Sequence, residues 1–233
     1  MPRHDGPRTA PDRKSEAVVF VHGFGSTHDA TWGVPGWPEL MEDIGYRVVP
    51  FGLPGHGDTP VPGGTDDDTL DELLGVARRE GAVSAVGFSA GSLLLLRAAV
   101  RDPGAFERLV LIGIGDGMWA DPSGFSSLAD TLTADEPDAS TALLRQLAER
   151  AGNSLESIAA YARSAAPPPP LPSLQRLDAD VLVILGDEDT VGPADALVSA
   201  LPRATLTSLP RTDHYRAPSS PEAMSAVLDF FAR

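Results

Sequence analysis

The sequence predicts an α/β protein with a doubly wound, mostly parallel sheet of about six strands and helices on both faces. Three observations point to it. Short β-branched apolar runs alternate along the chain with segments whose apolar residues recur at helical spacing. The runs contain few polar residues, as parallel strands buried on both faces do. Most of them end in polar, glycine-rich loops, and ligands bind to sheets of this class at the carboxyl ends of their strands.

Composition limits what the protein does. Its 233 residues suffice for one domain, or one with an insertion, and an apolar share of 42% indicates a folded globule. There is no cysteine, so disulfides, thiolate catalysis and cysteine metal sites are excluded. A formal net charge of -15 repels phosphates and argues against a nucleic-acid or anionic-membrane partner. Met1 to Glu16 is polar, rich in Pro, Arg and Asp, and fits neither a signal peptide nor an anchor; residues 1–15 read as a flexible lead-in. No stretch approaches the roughly 20 apolar residues of a membrane span. A cytoplasmic location is therefore expected, with the oligomeric state left open.

Taken in order, Ala17 to Val21 is the first strand, ending in His22-Gly23-Phe24-Gly25-Ser26. Trp37, Leu40, Met41 and Ile44 repeat at helical spacing, with Pro38 near the start and Gly45 past the end. Tyr46 to Phe51 is the next strand, followed by the turn Leu53-Pro54-Gly55-His56-Gly57-Asp58. Thr69 and Glu72 have the spacing of a capping box for a helix with Leu70, Leu73, Leu74 and Ala77 on one face, closed by Gly81. A strand over Ala85 to Phe88 leads into a helix that Asp102-Pro103-Gly104 stops, and Leu109 to Ile112 is a further strand.

From about Met118 to Pro172 the alternation breaks. Leu143, Leu144 and Leu147 form one helical face, and Leu155, Ile158 and Ala162 another, before the stiff run Pro167 to Pro170. This predicts a helical insertion over 118–172, acting as a lid on a core made of 16–117 and 173–233. The rhythm resumes with strands over Val181 to Leu185 and Thr205 to Leu209, a helix between them, and a terminal helix with Ser220 as N-cap and Pro221 in its first turn.

The chemistry centres on Gly87-Phe88-Ser89-Ala90-Gly91, a Gly-x-Ser-x-Gly at a strand-to-helix junction. Such a turn lifts the Ser89 hydroxyl to the carboxyl edge of the sheet. A serine is a poor nucleophile until a base takes its proton and a third group orients that base. Asp189 follows one later strand and His214 the next, so all three fall on loops at one edge, in the order Ser, acid, His. Asp187 and Asp116 stand on the same edge and remain alternatives for the acid.

Val21-His22-Gly23-Phe24, Leu53-Pro54-Gly55-His56-Gly57, Gly87 to Gly91, Leu185-Gly186-Asp187-Glu188-Asp189 with Pro193, and Asp213-His214 occur in an order that resembles the α/β-hydrolase fold family, in particular its small, lidded, esterase-like members. The resemblance runs from Val18 to Phe231. It implies Ser89 as nucleophile, His214 as general base and Asp189 as the acid. It also implies an oxyanion hole from the backbone N-H groups of Phe24 and Ala90. Asp213 and Ser92 depart from it, each standing where relatives often have glycine. His22 and His56 read as structural braces of their loops.

Phe88, Trp119 and Phe125 are candidates for an apolar substrate pocket under the insertion. No metal-ligand spacing and no phosphate loop with its lysine is present, so neither metal nor cofactor is expected. The expected partner is a small-molecule acyl substrate: a small to medium, partly hydrophobic carboxylic ester, thioester or lactone, cleaved through an acyl-enzyme. Two alternatives stay open. One is C-C bond hydrolysis, acyl-transfer cyclisation or lyase chemistry on the same triad; the other is a ligand-binding sensor with little turnover.

Overall fold

The computed structural model describes residues 16–61, 65–120 and 124–233. The lead-in expected over 1–15 lies outside the described residues. Among these, six strands form one sheet: β1 (Glu16–Val21), β2 (Tyr46–Phe51), β3 (Ser84–Phe88), β4 (Arg108–Ile112), β5 (Asp180–Gly186) and β6 (Ala204–Leu209). Their order is β2-β1-β3-β4-β5-β6 and every neighbouring pair is parallel. The helices are α1 (Trp37–Asp43), α2 (Asp66–Glu80), α3 (Ala90–Arg101), α4 (Gly124–Thr133), α5 (Ala139–Arg150), α6 (Leu155–Ser164), α7 (Asp195–Ala200) and α8 (Pro221–Phe231).

The period of two along the strands divides the core into two layers. Val19, Val21, Leu109, Leu111, Val181 and Val183 pack with the leucines of α2 and α3 and with Leu197 of α7. Val18, Phe20, Val110, Ile112, Leu182 and Ile184 point the other way, against Trp37 and Met41 of α1 and Val227 and Phe231 of α8. Both faces are thus covered, and the carboxyl ends of the strands are left to the loops. Parallel strands need crossovers, and the long one between β4 and β5 carries α4, α5 and α6.

Helix α2 differs from the sequence reading. It starts one turn earlier, because the capping box is Thr65 with Asp68, whose carboxylate accepts the Thr65 N-H at 2.6 Å, while Thr69 is buried within the helix. Asp66, Asp67 and Asp68 fill the first turn, where the helix dipole favours negative charge. Asp66 also forms an ion pair with Arg97 of α3, which is buried to 8% exposure. Arg97 further donates to the Ala166 carbonyl at 3.3 Å, so the chain returning from α6 is tied to the helices covering the sheet.

Candidate active site

Ser89 sits between β3 and α3 with φ 51° and ψ -113°, one of two positive-φ residues other than glycine among those described. The flanking glycines make that turn possible. A Cβ on Gly91 would lie 2.3 Å from the Val21 carbonyl oxygen, and one on Gly87 would lie 2.7 Å from the Ser92 nitrogen. The turn is braced from β4: the Ile112 carbonyl accepts the Ser89 N-H at 2.8 Å and the Ser92 hydroxyl at 3.0 Å. Ser92 therefore adds a second bond to the carbonyl that holds the Ser89 backbone, which a glycine there would lack.

Ser89, His214 and Asp189 are brought together. Ser89 Oγ lies 2.9 Å from His214 Nε2, and His214 Nδ1 lies 2.8 Å from Asp189 Oδ2. A carboxylate only accepts, so Nδ1 carries the proton and Nε2 is left as the acceptor for the Ser89 hydroxyl. The second oxygen of Asp189 accepts the Val191 N-H at 3.0 Å, which fixes the carboxylate, and its side chain is fully buried. The other two acids are taken up elsewhere. Asp187 Oδ1 accepts the Thr212 N-H at 3.3 Å, and Asp116 holds the N-H groups of Leu197 and Ala196 at 2.9 and 3.0 Å, at the start of α7. Asp213 accepts the Arg216 N-H at 2.9 Å and so shapes the turn that follows His214.

The loop that carries Phe24 is held by two histidines. His22 Nε2 accepts the Leu53 N-H at 3.1 Å and its Nδ1 lies 2.9 Å from the Gly23 carbonyl oxygen. His56 Nε2 accepts the Gly25 N-H at 3.0 Å and its Nδ1 lies 3.0 Å from the Pro54 carbonyl oxygen. Each ring is used at both nitrogens in its neutral form. Burial lowers the His22 pKa to about 3, helped by the neighbouring His56, and burial lowers that of His56 to about 4. Among the described residues no hydrogen bond takes up the backbone N-H of Phe24 or of Ala90, and both remain available as donors.

A cavity of about 310 Å³ opens onto Ser89 and His214. Phe88 lines it, its ring held between two glycines: a Cβ on Gly23 would lie 2.6 Å from the ring, and one on Gly113 2.7 Å from its other edge. Gly113 also approaches His214, with only 3.2 Å between such a Cβ and Cε1. Trp119 and Phe125, expected at the pocket, are not among the residues lining this cavity. The Trp119 ring N-H is held by the Pro169 carbonyl at 2.8 Å, and Phe125 packs on Phe24 and the small residues Ala129, Ala159 and Ala162. Sequence reasoning missed what lines the wall instead: Leu144, Leu147 and Arg150 of α5, with Thr31 and Tyr215. The apolar spacing of Leu144 and Leu147 was the available signal.

The comparisons with known proteins agree with the fold. The profile of the family described as "Alpha/beta hydrolase family" matches residues 18–227. A pimeloyl-[acyl-carrier protein] methyl ester esterase of Aromatoleum aromaticum is 38% identical over 98 residues, which is 41% of this chain and 36% of that protein. The match thus spans little more than a third of the curated relative. Among solved structures, MenH from S. aureus superposes with a TM-score of 0.77 at 19% identity, covering 96% of both chains. The enol-lactonase from Burkholderia xenovorans LB400 gives 0.70 at 21% identity, covering 98% of this chain and 95% of that one. At these identities the structural likeness is one of fold.

Proposed function

We propose that this chain, which belongs to the alpha/beta hydrolase family, is a serine hydrolase that cleaves a small to medium, partly hydrophobic carboxylic ester, thioester or lactone through an acyl-enzyme. The observation that carries the reading is the unbroken path from Ser89 Oγ through His214 to a buried Asp189, at 2.9 and 2.8 Å. Ser89 attacks the acyl carbon while His214 Nε2 takes its proton. The negative oxygen that develops is met by the N-H groups of Phe24 and Ala90. As the carbonyl reforms, the bond to the leaving alkoxide or thiolate breaks and His214 returns the proton to it. Water, deprotonated by the same imidazole, then attacks the acyl-serine, and the free acid leaves as Ser89 regains its proton.

The cavity supports the substrate class. Phe24, Phe88, Leu144 and Leu147 make its walls largely apolar, and its volume of about 310 Å³ suits a short acyl chain rather than a polymer. In this reading α4, α5 and α6 form a lid. The names of the similar proteins, a methyl ester esterase and an enol-lactonase, favour attack on an acyl carbonyl. A fluorophosphonate probe followed by peptide mass spectrometry tests the assignment, with p-nitrophenyl esters of graded length as substrates. Label on Ser89, and hydrolysis that Ser89→Ala abolishes, is the expected result; full hydrolysis by Ser89→Ala refutes it.

A further inference from the structure

Asn153 lies in the short connection between α5 and α6, more than ninety residues from the loops it touches, and is buried to 7% exposure. Its side-chain amide is used from both ends. Oδ1 accepts the Gly57 N-H at 2.8 Å, and Nδ2 donates to the Gly25 carbonyl at 3.0 Å and the Ser26 carbonyl at 3.4 Å. Gly25 is therefore gripped on both sides of its backbone, since its N-H is already given to His56. It directly follows Phe24, whose N-H has no partner among the described residues.

The surroundings leave this contact little slack. Gly25 has φ +71°, and a Cβ there would meet Leu144 of α5 at 3.1 Å. A Cβ on Gly55 would lie 2.6 Å from the Ser157 carbonyl oxygen, so the start of α6 rests directly on the turn that carries His56. Three segments distant in sequence, the 22–26 loop, the 53–57 turn and the 152–154 connection, thus converge on one amide group.

We propose that Asn153 is a positioning residue for the oxyanion hole: its amide orients the Gly25 peptide, and through it the Phe24 N-H, and so couples the α5-α6 connection to acyl transfer. This rests on the serine-hydrolase reading. Stabilisation of an oxyanion depends steeply on where the donor points, and losing one donor typically costs about a hundredfold to a thousandfold in rate. A donor tilted rather than lost costs less, and the expectation for Asn153→Ala is a fall in kcat of roughly tenfold to a hundredfold with KM within about twofold.

Asn153→Asp separates positioning from mere attachment. It has the same shape and keeps the acceptor for Gly57, but as a carboxylate it has no donor for the Gly25 and Ser26 carbonyls. If Asn153 only fastened α6 to the 53–57 turn, this variant would retain wild-type kcat. Under the proposal it loses kcat as the alanine variant does, and the ratio of its rate to that of wild type rises toward acid pH as the carboxyl group regains a proton to donate. The ratio cancels any pH dependence that both proteins share.

The assay uses the full chain with p-nitrophenyl butyrate, and phenylboronic acid as a probe that forms a tetrahedral adduct on the serine. Wild-type labelling by fluorophosphonate is measured first: without it the serine-hydrolase reading fails and this proposal with it. Given labelling, weaker boronate binding in parallel with the fall in kcat supports the proposal. Wild-type kcat in Asn153→Asp, or a lower kcat with unchanged boronate affinity, overturns it. If Asn153→Ala does not fold, Asn153→Asp decides alone.

Discussion

The two neutral histidines beneath the Phe24 loop make a quantitative prediction about acid. In the unfolded chain each titrates near 6.5; in the fold His22 is lowered to about 3 and His56 to about 4. Folded values below the unfolded ones mean that the fold refuses protons which the unfolded chain accepts. Their contribution is fully present above about pH 6.5 and is lost progressively as the pH falls. Each histidine then removes about 1.4 kcal/mol per pH unit, or roughly 2 to 3 kcal/mol between pH 7 and pH 4.5. Together they remove about 5 kcal/mol, comparable to the whole stability of a marginal domain.

Urea unfolding followed by the fluorescence of the buried Trp32 and Trp37, repeated from pH 7 to pH 4.5, measures this slope directly. His22→Gln, whose side-chain oxygen reaches for the Leu53 N-H, carries no titrating proton. Its free energy of unfolding is expected to fall less steeply, by about 1.4 kcal/mol per pH unit, even if its value at pH 7 is lower. A variant slope equal to that of wild type would refute the reasoning, because His22 would then take up its proton in the fold as readily as outside it.

Other substitutions test the site. Asp189→Asn keeps the shape of the acid but not its charge or its demand for the Nδ1 proton, and kcat is expected to drop by roughly ten-thousandfold with little change in KM, read from steady-state ester hydrolysis. Ser92→Ala removes one of two bonds to the Ile112 carbonyl while the Ser89 N-H keeps the other, so a loss of about 1 kcal/mol in urea unfolding is expected. Arg150 is the cation of the cavity wall, and Arg150→Ala is expected to raise KM for an ester bearing a free carboxylate about tenfold, or 1.4 kcal/mol, and to leave a neutral butyrate ester unchanged.

Some of this was legible in the sequence. Five of the six strands carry apolar runs, the exception being β6 with Thr205, Thr207 and Ser208, and Gly87 and Gly91 flank the serine because the backbone at the start of α3 and at the end of β1, respectively, passes where their side chains would be. Such local requirements leave local marks. The acid was less legible, since Asp116, Asp187 and Asp189 all follow strands on one edge. The fold separates them by giving Asp116 to the start of α7 and Asp187 to Thr212, while Asp189 meets His214. Trp119 was a candidate for the pocket under the insertion, whereas its indole N-H, partly covered, is given to the Pro169 carbonyl, a partner set by how the returning chain runs. Asn153 left no mark, because its partners are set by how distant loops meet.

The buried ion pair of Arg97 and Asp66 bears on how this protein could be recombined with its relatives. The segment from β4 to β5 looks like a cassette, entering and leaving between neighbouring strands. Arg97 nevertheless donates to the Ala166 carbonyl near the segment's exit. A transplanted segment that follows another route at that point withdraws an acceptor from a buried guanidinium, at a cost of about 1.5 to 3 kcal/mol. The natural unit of exchange is therefore the segment together with Asp66 and Arg97, two residues that lie well before it in the chain.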